Sequence, residues 1–215
     1  KRFVDGSMTW MPTSDRYYYT EKVGGKNLLK TVDPLNNKVE ILAEDMPDDY
    51  FVISPTEDYA ILMHSTDGPK KEEGVFEIVH PDDRQPGWRN RTSLARYDFK
   101  TGLVQQLTYS YHGVWLSDIS PDGKHILFGV ASDSITQRPT TRATYYDLDL
   151  ATMTTRKLVD KDGFIGGALY AGGTDRVVFK AGTEAFDGIG NRVPEGRTPN
   201  TFDYHLYVMD TNTLK

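Results

Sequence analysis

Side chains able to grip an anion or a peptide are densest in the stretch from Arg84 to Arg91, where Arg84, Trp88, Arg89 and Arg91 stand among Pro86, Gly87 and Asn90. Guanidinium forks bind carboxylates in bidentate fashion, and an indole supplies a flat apolar surface. This combination predicts a loop that holds a peptide or a neighbouring domain. The competing reading is an ordered loop in which Asp82 and Asp83 neutralise the arginines and Trp88 plugs a rim, since most surface ion pairs are local structure.

Other chemistry is incomplete. No Gly-x-Ser-x-Gly elbow occurs, so a hydrolase nucleophile of that type is not on this chain. The segment Gly188 to Val193 begins like a dinucleotide fingerprint but lacks its third glycine and a preceding buried strand, which predicts a flexible loop. The five histidines are dispersed, there is no cysteine, and His-Glu-x-x-His is absent. Asp160 to Gly163 has the first half of a calcium loop with Ala171 where its Glu should stand, so a turn is expected. Lys70 to Gly74 reads as a charged loop tip, and Asn90-Arg91-Thr92 matches a glycosylation acceptor. No catalytic residue, metal site or cofactor is expected on this sequence.

The elements that would position such a loop follow from a repeat. One turn phrase occurs at Pro12–Asp15, Ser54–Asp58, Ser120–Gly123 and Ala171–Asp175. Pro presets φ, Asp bonds its own backbone and Gly accepts a positive φ. Each phrase precedes an aromatic or aliphatic strand; after Ser120–Gly123 the run from Ile126 to Ala131 is unbroken and apolar, as in a strand buried on both faces. A second phrase alternates with the first, at Asp33–Asn37, Asp98–Gly102, Asp149–Thr152 and Asp210–Thr213. The spacing from Pro12 to Pro55 falls in the roughly 40–45-residue range of a propeller blade, and the longer spacings are that period plus insertions.

The predicted fold is therefore all-β: a β-propeller of four-stranded antiparallel blades, about four of them, near residues 1–45, 46–110, 111–160 and 161–215. Within each blade the phrases join strands a to b and c to d. The last unit stops without an outer strand, so the chain is expected to be an arc of an incomplete ring, with open blade faces that favour self-association into a homo-oligomer. The insertions, 66–92, 133–142 and 182–202, all fall between strands b and c, where a rigid scaffold would display binding loops.

Composition narrows the partners. A net charge of −6, from 31 acidic and 25 basic side chains without a long run of either sign, argues against nucleic acid. No apolar run approaches the ~20 residues of a membrane span. The sequence begins at Lys1 without a Met, so a processed, trimmed or partial product is expected, and cysteine usage leaves the compartment open.

The Ser-Pro-Asp-Gly phrase with its aliphatic strand resembles TolB-like, or WD40-like, propeller repeats. More specifically, 80–88, Leu94–Asp98, Leu107–Tyr109, Ser132–Pro139 and Leu206–Asp210 resemble the propeller of bacterial S9 (prolyl oligopeptidase family) serine peptidases. The resemblance implies a periplasmic or secreted protein in which the propeller gates peptide substrates for a C-terminal α/β-hydrolase domain beyond Lys215. Arg138 then joins Arg84, Trp88, Arg89 and Arg91 as an expected substrate contact. The Asp-Trp-x-Tyr-Glu-Glu motif of the dipeptidyl-peptidase branch is absent; Glu72-Glu73 lacks its aromatic surroundings. A non-catalytic TolB-like scaffold that binds protein partners is the alternative.

Overall fold

The computed structural model describes residues 8–67, 91–134, 136–200 and 203–215. Fifteen strands are found there, in four antiparallel sheets whose strands pair in sequence order. The first sheet holds β1 (Thr9–Trp10), β2 (Tyr17–Val23), β3 (Lys26–Val32) and β4 (Val39–Ala43). The second holds β5 (Tyr50–Ile53), β6 (Tyr59–Thr66), β7 (Arg91–Asp98) and β8 (Val104–Gln106). The third holds β9 (Val114–Ile119), β10 (His125–Asp133), β11 (Thr141–Asp149) and β12 (Thr154–Asp162). The fourth has β13 (Ile165–Tyr170), β14 (Arg176–Ala181) and β15 (His205–Asp210). These meanders are β-propeller blades, as the alternating turns require.

Turn chemistry repeats with the sequence phrases. At the a–b turns a backbone bond closes the loop four times: Met11 N–H to Arg16 O at 2.8 Å, Ser54 to Tyr59 at 2.9 Å, Ser120 to His125 at 2.9 Å and Ala171 to Arg176 at 3.0 Å. At the c–d turns the aspartates Asp33, Asp98, Asp149 and Asp210 each accept a backbone N–H two or three residues ahead, the local bonding that makes Asp a turn residue. The fourth position after each Asp takes a positive φ: 57° at Asn37, 70° at Gly102, 57° at Met153 and 56° at Leu214. The residue after Asp then donates back to the a–b turn of its own sheet, Phe99 to Asp58 at 3.1 Å, Leu150 to Lys124 at 2.8 Å and Thr211 to Asp175 at 2.8 Å. In the first sheet Pro34 occupies that position and has no N–H to give.

The described residues fall into two compact units, one within 8–64 and 94–109 and one within 65–67, 91–93, 110–134, 136–200 and 203–215. In the first, Met11, Leu29, Ala43, Ile53, Ala60 and Leu62 pack between the two sheets. Glu57 reaches across to accept the backbone N–H groups of Thr13 and Ser14, at 2.9 and 2.6 Å. In the second, Leu127, Tyr145, Tyr170, Val177, Phe179 and Met209 form the core. The run from Ile126 to Gly129 is buried throughout, as its unbroken apolarity predicts. In the fourth sheet alternation is clean: Val177 and Phe179 point into this core, while Leu169 and Val208 on the opposite face stay exposed.

The structure departs from expectation in two places. Asp160 to Asp162 belong to β12, and the turn falls at Gly163–Phe164. The β14–β15 connection is not merely a flexible loop: it contains a tight turn, Ala185–Gly188, in which Phe186, Asp187 and Gly188 take positive φ, and a 3-10 turn, Ile189–Asn191. The first is held by the bonds Ala185 N–H to Gly182 O at 3.2 Å and Gly188 N–H to Glu184 O at 3.1 Å. Gly190 is needed for packing: a Cβ there would lie 2.4 Å from the Tyr207 hydroxyl and 2.8 Å from Thr183 Cα. Among the described residues no helix is long and apolar enough to cross a membrane.

Candidate functional site

Three long b–c connections, β6 to β7, β10 to β11 and β14 to β15, leave their sheets at the end opposite the repeated turns. In the second unit a cleft of about 240 Å³ opens at that end between the third and fourth sheets. Trp115 of β9, Arg142 and Tyr145 of β11, Asp162 of β12 and Ile165 of β13 line it.

Each wall has a local cause. Trp115 lies directly on Gly129 of β10, its pairing partner; a Cβ at Gly129 would sit 2.1 Å from the indole Cζ2, so only glycine admits the ring there. The indole meets Tyr145 edge to face at 5.8 Å, Tyr145 meets Phe179 at 5.6 Å, and Phe186 joins at 5.3 Å. These are favourable aromatic geometries. Burial pushes the Tyr145 phenol up from its ordinary pKa, against a lowering contribution from the Trp115 indole N–H. Asp162 accepts the backbone N–H of Phe164 at 2.8 Å and of Phe186 at 2.9 Å, which anchors the β14–β15 connection to the cleft floor. Arg142 donates from Nη1 to the Lys161 carbonyl at 3.2 Å. One wall is thus apolar and aromatic, the other carries a guanidinium.

A second polar cluster lies at the opposite end of the same two sheets. Asp147 is buried (3% exposed). Its carboxylate takes the Tyr170 hydroxyl at 2.6 Å, Arg156 Nη2 at 2.9 Å and His125 Nδ1 at 3.1 Å. Burial, followed by the Asp147 bond, raises the Tyr170 phenol above its ordinary value. Both Asp147 oxygens are bonded, so the cluster ties strands β10, β11, β12 and β13 together. His125, expected as an ordinary strand-end residue, opens β10 and joins this tie.

Of the arginines singled out from sequence, the structure describes Arg91 and Arg138. Arg84, Trp88 and Arg89 lie outside the described residues, as do the charged tip Lys70 to Gly74 and Asn90. Arg91 opens β7 and places its guanidinium 4.6 Å from the Tyr111 ring centroid. Arg138 is exposed in the β10–β11 connection, next to Pro139, whose ring packs on Gly163 at the cleft edge. Sequence reasoning missed Trp115, Arg142 and Asp162 as a set. The usable signal was slight: a Trp one strand before a mid-strand glycine, and an Arg near the start of the strand that follows an insertion. Among the described residues no group of three or more His, Asp or Glu side chains is arranged to hold a metal ion.

No family model matches the sequence, and no curated protein matches it. Solved structures do match in fold. The tricorn protease superposes with a TM-score of 0.53 at 10% identity, over 91% of this chain and 17% of its own. Dipeptidyl peptidase 4 of Porphyromonas gingivalis gives 0.51 at 12%, over 100% of this chain and 39% of its own. An oligogalacturonate lyase in complex with manganese gives 0.51 at 10%, over 92% and 47%. The chain spans under half the length of each. At these identities the likeness defines the fold, a propeller of the type that the repeats predicted, and fold alone does not fix activity.

Proposed function

We infer that this chain is the propeller part of an S9-type serine peptidase, gating and positioning peptide substrates for a hydrolase domain outside these 215 residues. The observation that carries this reading is the match of nearly the whole chain to structures of two peptidases of which it spans only 17% and 39%. The sequence resemblance at Ser132–Pro139 and Leu206–Asp210 points the same way. By itself the chain then supplies walls and entry loops, with no nucleophile. Arg84, Trp88, Arg89, Arg91 and Arg138 are the peptide contacts in this reading, and a periplasmic or secreted location belongs to it.

The test is to express the whole reading frame and treat it with a fluorophosphonate. A labelled serine in a Gly-x-Ser-x-Gly setting outside this chain, with peptide hydrolysis lost on labelling, supports the peptidase. Absence of both overturns it in favour of a protein-binding scaffold. Given an active enzyme, Arg84→Ala with Arg89→Ala is expected to change selectivity between short and long peptides; unchanged selectivity removes those two contacts.

A further inference from the structure

Three successive residues at the start of the β14–β15 connection lie in the left-handed region: Phe186 at φ 53° and ψ 51°, Asp187 at 58° and 34°, and Gly188 at 72° and 30°. Glycine adopts this backbone freely. In an L-residue the Cβ crowds the following carbonyl, and for a side chain as bulky as Phe the conformation is an outlier. The other described non-glycine residues with positive φ stand singly, and Asn37, Met153 and Leu214 among them belong to the repeated c–d turn. Phe186 and Asp187 fall outside both turn phrases. Strain of this kind persists only where the surroundings enforce it, and it collects at clamps and switches.

One ring and one carboxylate supply the enforcement. The Phe186 ring meets both Phe179 and Tyr207 at 5.3 Å between centroids. Its N–H donates to Asp162 Oδ2 at 2.9 Å, across 24 residues of chain. The Gly188 N–H closes the turn on Glu184 O at 3.1 Å. Beyond this latch the connection is thinly held, with Asp187, Ile189 and every residue from 191 to 198 exposed. The strands on either side are paired rung by rung, from Arg176 with Asp210 to Ala181 with His205. We propose that the β14–β15 connection is a sprung strap, latched at Phe186 and Asp162, whose release frees an acid at the cleft between the third and fourth sheets. Opening breaks few contacts, leaves the ladder of β14 and β15 intact, and returns Phe186 and Asp187 to ordinary backbone. Asp162 lines that cleft. Its other oxygen stays on the Phe164 N–H, so the side chain keeps its place while Oδ2 comes free. Strap and cleft thus share one carboxylate, in a peptidase or a scaffold alike.

Native-state amide exchange on the 215-residue chain, followed by NMR through a urea series, tests the strap. Exchange at the Phe186 N–H reports the break from Asp162. This amide and that of Gly188 should exchange about tenfold or more faster than those of Val177 and Phe179 on the central strand. They should also respond little to urea, because a local opening exposes little surface. Asp187 is exposed, so Asp187→Val acts through the backbone: a branched residue is worse in the left-handed region, and both strap amides should exchange about fivefold faster with Val177 and Phe179 unchanged. Asp187→Gly should slow them about twofold, its gain partly offset by the freedom of glycine in the open state. Phe186→Ala removes the latch and should speed exchange at Gly188 by about tenfold or more. Strap amides that match Val177 and Phe179 in rate and urea response would overturn the proposal, because the turn would then open only with the whole fold. Strap amides indifferent to Asp187→Val would overturn it as well.

Discussion

The Asp118 carboxylate accepts the backbone N–H of Tyr170 at 2.8 Å, so a side chain on β9 fastens β13 of the next sheet. Its other oxygen takes the Ile119 N–H at 2.9 Å, and the neighbouring Ser117 hydroxyl donates to the Ala168 carbonyl at 2.6 Å. Two adjacent polar residues thereby join the innermost strands of the third and fourth sheets without a direct ladder between them.

Burial raises the Asp118 carboxyl above its ordinary pKa, although the two backbone N–H bonds oppose the shift. The folded state therefore holds the proton more tightly than the unfolded chain. Stability from this group is fully present below the unfolded value of about 3.9 and is lost as pH rises through the folded value. Asp118→Asn places an amide N–H against one of two backbone donors and should cost about 1–2 kcal/mol. In urea unfolding the margin of the parent over this variant is expected to shrink as pH rises above the unfolded value of about 3.9. A margin that widens with pH would refute the burial account.

Tyr170 makes the complementary case on the alkaline side. Its phenol is buried against the Asp147 carboxylate, which holds its pKa well above the ordinary 10.0. In the unfolded chain the phenol ionises near pH 10, so stability from Tyr170 falls as pH rises beyond that point. Phenolate absorbance should therefore show the same number of titrating tyrosines in the folded parent and in Tyr170→Phe up to the onset of unfolding. Tyr170→Phe should also lower stability by about 1–3 kcal/mol, because it withdraws a hydrogen bond from a buried carboxylate.

What the sequence made legible was whatever short-range chemistry decides. Ser120 to Gly123 and Asp98 to Gly102 form their turns through bonds spanning a few residues, so the repeat, the strand order and the blade fold could be read directly. The cleft could not, because Trp115, Arg142, Asp162 and Ile165 come from four strands brought together by sheet packing. Asp147 was equally hidden: an acid within the strand Thr141–Asp149 looks solvent-facing until Arg156, His125 and Tyr170 converge on it. The tight turn after Ala185 is held through Phe186 by Asp162, which is far away along the chain.

The c–d turns allow a direct test of backbone strain. Gly102 and Met153 occupy the same place four residues after an Asp, with φ of 70° and 57°. A Cβ at Gly102 would meet nothing closer than the Tyr97 hydroxyl at 3.7 Å, so Gly102→Ala isolates the conformational cost. It should lose about 1 kcal/mol, the usual penalty of a left-handed L-residue. Met153→Gly relieves the same strain, partly offset by the greater freedom of glycine in the unfolded chain, and should gain a few tenths of a kcal/mol. Equal and opposite effects in thermal unfolding are not expected; a destabilised Met153→Gly would show that the Met153 side chain outweighs its backbone.

Gly129 tests the cleft itself. With a Cβ built 2.1 Å from Trp115 Cζ2 and 2.4 Å from Cε2, Gly129→Ala forces the indole off its seat. The cost should be about 1–3 kcal/mol, as for other overpacked sites, with a changed near-ultraviolet circular dichroism from the displaced ring. Gly167→Ala is the control: nothing lies within 4 Å of its Cβ position, so the fold should tolerate it. The decisive comparison is the double variant. Trp115→Ala removes the ring that Gly129→Ala collides with, so the two changes together should cost less than the sum of each alone. Additive costs would mean that Gly129 is required by the β10 backbone and not by the indole, and that the aromatic wall has another support.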